Sequence, residues 1–409
     1  MSGPDRFVRW FDELAAIGRT PAGGWHRFAW TDEDRAARDW FERTSEALGL
    51  EVETDGNGNV WAWWGSPRQG AVVTGSHLDT VAEGGAYDGA LGVVSALVAV
   101  AELQERHGPD PPPRPFAVVA FADEEGGRFN LPCFGSRLLT GALDPAEILD
   151  RQDADGTTVR HAVAGFGLDP AGFGPDLERL ARVDAFVELH VEQGRALAGE
   201  GAAIGIGVGI WPHGRWRITL TGEANHAGTT RLEDRHDPML VLAHAVARAR
   251  SEAAIRSIVA TVGRVVVEPN SPNSVPGKVT ATLDARAPRD SMLDELVVDL
   301  GASILNRAAA HGVDADLVCD SRTAGVHFDS ALIQRVSARL AAVGILAVCL
   351  PTAAGHDAGI LAAHVPAAML FVRNPTGGSH TPTESASVED CLVGVTALAA
   401  VLEDLAWPV

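Results

Sequence analysis

The sequence has few cysteines and no apolar stretch of membrane length, and both absences limit where the protein can work. Only four cysteines occur among 409 residues, and they show no paired spacing: Cys133, Cys319, Cys349 and Cys391. We therefore expect reduced thiols and a cytoplasmic location. A membrane helix needs about 20 apolar residues, which no run reaches, and the start, MSGPDRFVRWFDEL, lacks a signal-peptide core. We accordingly expect no membrane partner.

Positive charge is also scarce. The chain has 33 Lys and Arg residues against 54 Asp and Glu residues, and its formal net charge is −21. Nucleic acids bind to basic surfaces, so we do not expect a nucleic-acid partner. A small anionic substrate stays possible, because the local charge in a cleft can oppose the net charge. With 46% hydrophobic and 21% charged residues, the chain is globular and long enough for two domains.

Four apolar stretches each lead directly into residues that can bind a metal ion. Strands covered by helices on both faces are apolar throughout, and α/β sheets bind ligands beyond the carboxyl ends of such strands. We therefore expect the side chains that follow the four strands to meet at one sheet edge. The pairs are residues 71–74 with His77, 116–122 with Glu124 and Glu125, 184–189 with His190, and 366–372 with His380.

The stretch GSHLDTVAEGGAYDGALG, from Gly75 to Gly92, combines several of these signals. His77 and Asp79 are two residues apart, so they point the same way on an extended segment, and Asp79 could hold the second ring nitrogen of His77. Asp88 begins a helix on a glycine-rich loop that can fold back toward His77. The alternative is an ordinary strand-turn-helix with a surface histidine and a capping aspartate.

The middle of the chain has a different pattern. Its predicted elements follow the order β-α-β-β-α-β of the split βαβ arrangement, over residues 215–221, 237–253, 257–267, 279–285, 290–310 and 313–318. We therefore predict an inserted α+β ferredoxin-like domain at residues 212–324. Residues 1–211 and 325–409 would form an α/β catalytic domain, a mixed sheet covered by helices.

Nine motifs in order, from Ser76 to Glu384, resemble those of the M20 metallopeptidase-like amidohydrolases. The resemblance is greatest to the N-carbamoyl-L-amino acid hydrolases, with allantoate amidohydrolase and β-ureidopropionase as relatives. It implies a dinuclear metal site in the sheet domain and a lid domain that also forms a homodimer. The motifs are SHLDT, GGAYDGALG, FADEEGGRF, ELHVEQG, EANHAGTT, PNSVPG, LDAR, AGHDA and GGSHTPTE.

The resemblance implies five ligands for two divalent ions. His77 and His190 would bind one ion, Glu125 and His380 the other, and Asp88 would bridge both. Imidazole and carboxylate ligands suit Zn²⁺ and also Mn²⁺, Co²⁺ or Ni²⁺, and the sequence does not select among them. The family also commonly has a cis peptide bond after the bridging aspartate, which implies a cis bond from Asp88 to Gly89.

The resemblance further assigns the acid–base and substrate residues. Glu124 would be the general base, with Asp79 as a supporting catalytic residue; the alternative for adjacent glutamates after a strand is a solvated turn. His226 would stabilise the oxyanion and enter the site of the neighbouring subunit. Residues that would contact the substrate are Gln193, His226, Asn273, Arg286, Gly355 and His356, with Asn273 and Arg286 binding its carboxylate.

These residues favour hydrolysis of the C–N bond of an N-carbamoyl-L-amino acid, a ureido acid that carries a carboxylate. Allantoate amidohydrolase is the first alternative, and an aminoacylase or aminopeptidase of the M20 type is the second. A non-catalytic binding protein would have lost a ligand or the base, whereas all five ligands and Glu124 are present. Two departures from the family pattern affect the substrate: Arg195 stands where many relatives have proline, and Trp211 is unusually bulky.

Overall fold

The computed structural model describes residues 2–408, which form two compact units. The first unit runs up to Val208 and resumes at His327, and the second unit is Gly209–Val326. Among the residues described, none of the helices combines the length and apolar character needed to cross a bilayer.

The strands, in chain order, are β1 (Glu51–Thr54), β2 (Val60–Trp64), β3 (Ala71–His77), β4 (Phe116–Phe121), β5 (Val183–Val191), β6 (Ile204–Ile210), β7 (His213–Thr221), β8 (Asn225–His226), β9 (Val259–Glu268), β10 (Ser274–Val275), β11 (Lys278–Arg286), β12 (Asp314–Thr323), β13 (Val326–His327), β14 (Ala347–Thr352) and β15 (Ala367–Val372). The helices are α1 (Gly3–Ala15), α2 (Asp32–Ala47), α3 (Ala90–His107), α4 (Phe134–Thr140), α5 (Pro145–Ile148), α6 (Val159–Phe166), α7 (Leu177–Leu180), α8 (Ala196–Glu200), α9 (Pro238–Arg256), α10 (Asp290–Ala310), α11 (Ser330–Ala342), α12 (Asp357–Leu361) and α13 (Val388–Ala406).

The first unit is built on a nine-stranded mixed sheet in the order β1-β2-β4-β3-β5-β15-β6-β13, with β14 paired to β6. The four central strands β4, β3, β5 and β15 run parallel, whereas β2 and β6 pair antiparallel on either side of them. These central strands are almost completely buried. The predicted α/β class with a mixed sheet is confirmed, and the parallel strands carry their carboxyl ends to one edge.

The second unit is a four-stranded antiparallel sheet in the order β12-β7-β11-β9. Along β7, Trp216, Ile218 and Leu220 are buried and pack with apolar residues of α9 and α10, while Arg215 and Arg217 are exposed. This two-residue alternation is typical of a sheet with helices on one face. The predicted β-α-β-β-α-β order is confirmed. A two-stranded sheet of β8 and β10 adds to it, which the sequence did not indicate.

Candidate metal centre

The ligand candidates of the first unit lie at the carboxyl ends of the parallel strands. His77 is the last residue of β3, and His190 is the penultimate residue of its neighbour β5. Glu124 and Glu125 follow β4, and His380 lies on the loop after β15. The parallel arrangement therefore explains why side chains so distant in sequence can share one site.

Asp88 lies at the centre of these side chains, and its two oxygens face different partners. Its Oδ1 is 3.3 Å from Nε2 of His77 and 3.1 Å from Nε2 of His190. Its Oδ2 is 3.5 Å from Nε2 of His380 and accepts a hydrogen bond from Nε2 of Gln193 at 2.8 Å. The Asp88 carboxylate thus lies between the two histidines at its Oδ1 and the side chains of His380 and Gln193 at its Oδ2.

Two of the four groups of potential ligand residues within residues 2–408 share Asp88. In one set His77, Asp88 and His190 offer atoms within 4.8 Å of one another, and in the other Asp88, Glu125 and His380 do so. Glu125 Oε2 is 3.2 Å from Nε2 of His380, whose side chain is 48% exposed while that of Glu125 is 6% exposed. The structure therefore brings together the five residues proposed as ligands, with one side open to solvent.

The unsatisfied atoms of this cluster fit divalent ions. Nε2 of His77 and Oε1 of Glu125 are buried without a hydrogen-bond partner. Nδ1 of His77 lies 3.0 Å from the carbonyl oxygen of Asp79, and Nδ1 of His190 lies 2.8 Å from the carbonyl oxygen of Val191. Since a carbonyl only accepts, each Nδ1 donates. Nε2 of His77 is then left to bind a cation, and Nε2 of His190 accepts only the N–H of Gly89, at 3.3 Å.

The charges of the cluster support the same conclusion. Burial lowers the pKa of His190, but the carboxylates of Asp88 and Glu188 together outweigh it and raise that pKa to about 9. Burial and the carboxylates of Asp88 and Glu124 raise the pKa of Glu125 well above its usual value. In the absence of metal, the site therefore has to bind protons in order to balance its carboxylates. Divalent ions would replace those protons.

Asp79 lies beside His77 and also contacts a neighbouring loop. The ring of His77 contacts the main-chain oxygen of Asp79, and Oδ1 of the Asp79 carboxylate is 3.6 Å from Nδ1 of His77. The carboxylate also accepts the N–H groups of Glu124, at 3.1 Å, and of Glu125, at 3.0 Å. Asp79 therefore positions the loop that carries both glutamates.

Glu124 is buried beside the cluster. Its Oε2 lies 3.8 Å from Nε2 of His77, and its Oε1 accepts a hydrogen bond from Sγ of Cys133 at 3.3 Å. Burial raises the pKa of Glu124 to about 7, although His77 acts in the opposite direction. A carboxylate with a pKa near the working pH is suited to act as a general base.

Gly89 allows the loop to pass next to His77. Its φ is 66°, and a Cβ at this position would lie 2.5 Å from ring atoms of His77. The expected cis bond from Asp88 to Gly89 is wrong, because the one cis bond among residues 2–408 joins Glu268 and Pro269. Glycine makes the turn with a trans bond through a positive φ that other residues rarely adopt.

Two supporting residues escaped the sequence analysis. Glu384 accepts the N–H groups of Tyr87 and Asp88, both at 3.0 Å, and so fixes the Asp88 loop. Its signal was its place in the motif GGSHTPTE. Arg27 is fully buried, and its Nε donates to the carbonyl of Leu78 at 2.8 Å, between His77 and Asp79. Nothing in the sequence around Arg27 indicated this contact.

The proposed substrate residues of the first unit surround the ligands. Gln193 contacts Asp88 and lies 3.4 Å from Nε2 of His380. His356 is buried, its ring centroid is 4.5 Å from that of His190, and its Nε2 has no hydrogen-bond partner. Gly355, which precedes it, is exposed. Gln193 and His356 therefore adjoin the proposed ligands, and Gly355 is the neighbour of His356 in the chain.

In the second unit His226 and Asn273 lie together. Strand β8 pairs with β10, and the N–H of Ala227 donates to the carbonyl of Asn273 at 2.9 Å. Nδ1 of His226 accepts the N–H groups of Gly228, at 3.0 Å, and of Thr229, at 3.2 Å. With Nδ1 as the acceptor, Nε2 of this exposed ring carries the proton and is available as a donor.

Arg286 lies away from this pair. It is the last residue of the nine-residue strand β11, and it is in register with His213, where the chain enters the unit. His226 and Asn273 come after the last residues of β7 and β9, which pair with the other end of β11. The two ends of β11 are about 27 Å apart at 3.4 Å per residue. The second unit by itself thus does not bring Arg286 to His226 and Asn273.

Comparisons with known proteins identify the family of the chain. Residues 73–404 match the family model for peptidase family M20/M25/M40. The chain belongs to this family. It is 35% identical to an N-carbamoyl-L-amino acid amidohydrolase of Geobacillus stearothermophilus over 94% of both chains. It is 33% identical to an allantoate amidohydrolase of Bacillus subtilis, over 98% of this chain and 97% of the relative.

A solved structure is similar over almost the whole chain. It is an amidase of the hydantoinase/carbamoylase family from Burkholderia multivorans, 33% identical, with a TM-score of 0.88 and 98% of both chains covered. Both the sequence relatives and this structure are therefore amidohydrolases or amidases. The chain is thus an M20-family amidohydrolase.

Proposed function

We propose that the protein hydrolyses the C–N bond of N-carbamoyl-L-amino acids and releases the amino acid, CO₂ and ammonia. The observation that carries the proposal is the Asp88 carboxylate, which connects the histidine pair His77 and His190 with the pair Glu125 and His380. The activity named for the Geobacillus stearothermophilus relative supports this substrate class.

Two divalent ions are part of the proposal. His77 and His190 would hold one ion, Glu125 and His380 the other, and Asp88 both, with Zn²⁺, Mn²⁺, Co²⁺ and Ni²⁺ as candidates. When bound, they would supply positive charge to the scissile carbonyl and lower the pKa of water. Asp79 and Glu384 would hold the loops of the ligands in place through the N–H groups that they accept.

Glu124 would move the proton. Its carboxylate is buried, and a pKa of about 7 allows it both to take a proton from water and to return it near neutral pH. The proton would go to the departing nitrogen, which must be protonated to leave as an amine. Gln193, Gly355 and His356 would line the substrate pocket around this point.

The second unit would act as a lid and as the dimer interface, with the domain division at residues 212–324. The Nε2 proton of His226 would stabilise the developing oxyanion, and Asn273 and Arg286 would bind the substrate carboxylate. Because Arg286 and the His226–Asn273 pair lie at opposite ends of β11, we propose that the pair serves the active site of the partner subunit. We further propose a cytoplasmic location, supported by four free cysteines.

Allantoate hydrolysis is the second candidate, because the relative from Bacillus subtilis has that name. A substrate panel separates the two candidates: N-carbamoyl-L-amino acids, allantoate, dipeptides and N-acetyl amino acids, each with added Zn²⁺, Mn²⁺, Co²⁺ or Ni²⁺. We expect the highest kcat/KM for a carbamoyl amino acid. Faster turnover of allantoate would establish the second candidate, and faster turnover of dipeptides or N-acetyl amino acids would exclude both.

Subunit mixing tests the shared site. His226→Ala subunits are mixed with Glu124→Gln subunits, each nearly inactive alone. A mixed dimer has one site with an intact Glu124 from one chain and an intact His226 from the other, so activity should return. Each variant mixed with itself is the control. If subunit exchange is confirmed by mass and activity stays absent, each site is built within one chain.

A further inference from the structure

Arg195 is close in the chain to residues of the candidate metal centre, but neither the ligand set nor the proposed mechanism uses it. It follows Gln193 by two residues, and Nε2 of Gln193 is 2.8 Å from Oδ2 of Asp88 and 3.4 Å from Nε2 of His380. Its position makes it a candidate for contact with the substrate.

The stem of Arg195 is held against the loop that carries His380. A Cβ at Gly377 would lie 3.2 to 3.3 Å from Cβ, Cγ and Cδ of Arg195, so the stem crosses this glycine closely. The loop is itself ordered by the buried Asn374, whose Oδ1 accepts the N–H groups of Thr376 and Gly377 at 3.1 and 3.0 Å. The arginine stem therefore rests on a rigid surface, which lowers the entropy cost of binding through its head group.

The guanidinium of Arg195 has no partner within the part of the chain that the structure describes. Residue 195 is exposed, and its head group makes no hydrogen bond, ion pair or ring contact there. The acid nearest in sequence, Glu192, is already occupied by the N–H groups of Ala196 and Leu197. A guanidinium whose aliphatic stem is packed and whose N–H groups have no partner is suited to bind a carboxylate.

We propose that Arg195 binds a second carboxylate on the substrate, so that the preferred substrates are N-carbamoyl derivatives of acidic amino acids. This inference rests on the proposed function, in which Asn273 and Arg286 bind the α-carboxylate and leave the side chain of the substrate unassigned. A protein with a net charge of −21 repels a dianion unless local positive charge opposes it. Arg195 supplies that charge beside the site.

The test compares two nearly isosteric substrates, N-carbamoyl-L-glutamate and N-carbamoyl-L-glutamine. We expect the wild-type enzyme to prefer the glutamate derivative. Arg195→Gln should lower the ratio of kcat/KM for glutamate to that for glutamine at least tenfold, mainly through a higher KM for the acidic substrate. Arg195→Lys keeps the charge but loses the planar pair of N–H donors. Its ratio should therefore lie between those of Arg195→Gln and the wild type.

Arg68→Gln is the matched control, because this exposed arginine precedes β3, about 20 Å along the strand from His77, and its Nη2 donates to the carbonyl of Pro113. It should leave the ratio unchanged. Equal wild-type rates on both substrates, or an equal loss on both in Arg195→Gln, would overturn the role of Arg195 while the proposed function stands. If the wild type hydrolyses no ureido acid, the proposed function fails, and this inference fails with it.

Discussion

The two units hold their functional residues in opposite ways. In the first unit His77, Asp88 and Glu124 are almost completely buried. The carboxylates of Asp79 and Glu384 accept main-chain N–H groups of the loops that carry Glu124 and Asp88. In the second unit His226 and Asn273 are exposed, and their contacts come from neighbouring residues in a short two-stranded sheet. A buried polar group without a partner costs free energy, so the unsatisfied atoms of the first site are suited to bind a cation.

This difference concerns whether a functional site can be completed within a single chain. Nε2 of His77 and Oε1 of Glu125 are buried without a partner, and both residues belong to groups of side chains that could hold an ion. The Nε2 donor of His226 faces solvent and needs a substrate or another chain. Substitutions of the proposed ligands in the first unit should therefore change metal content, whereas those at His226 should change turnover alone.

Asp88→Ala should have the largest effect. It removes the carboxylate shared by both sets of ligand atoms, so the purified variant should lose both ions and all measurable activity. Metal analysis by plasma mass spectrometry, with circular dichroism as the folding check, measures this. Asp88→Asn is the matched control of similar shape. Two ions per subunit in well-folded Asp88→Ala would show that Asp88 is not the bridge.

Glu124→Gln should come next, with the fold and the metal retained. The amide has nearly the shape of the carboxylate but cannot accept the proton, and general acid–base catalysis is worth roughly 10²- to 10⁴-fold in rate. We expect a loss of that size in kcat with unchanged metal content. Near-normal turnover would mean that the buried carboxylate of Glu124 has only a structural role.

His226→Ala should reduce kcat by roughly 10²- to 10³-fold, the usual loss when one oxyanion donor is removed. Because the ring is exposed, we expect the free energy of unfolding to change by less than about 0.5 kcal/mol. Urea unfolding and steady-state kinetics on the same preparation measure both. A large loss of stability or of metal would remove the contrast between the two units.

The fold was predictable where the side-chain pattern alone decides the element. The apolar stretches before His77, His190 and His380 are strands of the sheet, and the alternation of the second unit is recovered in β7. The hairpin of β1 and β2, which the sequence around the turn at Asp55 also predicts, pairs Thr54 with Val60. In each case burial of one or both faces determines the residue pattern.

Strand β6 shows why other elements could not be predicted. Its sequence, IGIGVGI, contains three glycines, which weaken a strand and give no packing signal. The reason for two of these glycines lies in distant residues: a Cβ at Gly205 would lie 2.3 Å from Leu350, and one at Gly207 would lie 3.0 Å from Met369. Helix α13 is buried on most of its surface, so it lacks a clear amphipathic period.

The candidate site was predictable as a set of residues but not as a set of contacts. Motif resemblance named the five proposed ligands, and the structure brings those five side chains together. The contacts of Asp79 with two main-chain N–H groups, of Glu384 with the Asp88 loop and of Arg27 with Leu78 depend on loop geometry. No pattern of side-chain types encodes such main-chain contacts, and the same limit led to the wrong cis bond at Asp88.

Gly89→Ala tests that loop geometry directly and should have the smallest effect on activity of the four changes. A Cβ there would meet the ring of His77 at 2.5 Å, and its φ of 66° disfavours alanine. The ring should shift, so we expect metal affinity to fall by roughly 10- to 100-fold, as when a residue supporting a ligand is lost. Competition with a chelator measures this affinity.

Gly165→Ala is the control for replacing a glycine by alanine at a position where the added methyl group meets no neighbour. Gly165 lies in helix α6, its φ is not positive, and a Cβ there would meet nothing within 4 Å. Alanine should therefore stabilise the protein by about 0.5–1 kcal/mol and leave metal affinity unchanged. If Gly89→Ala binds metal as tightly as Gly165→Ala does, the loop can move away from His77 at little cost. The loop beside His77 would then be less rigid than its contacts indicate. The buried site and the exposed His226 would differ in solvent exposure and not in rigidity.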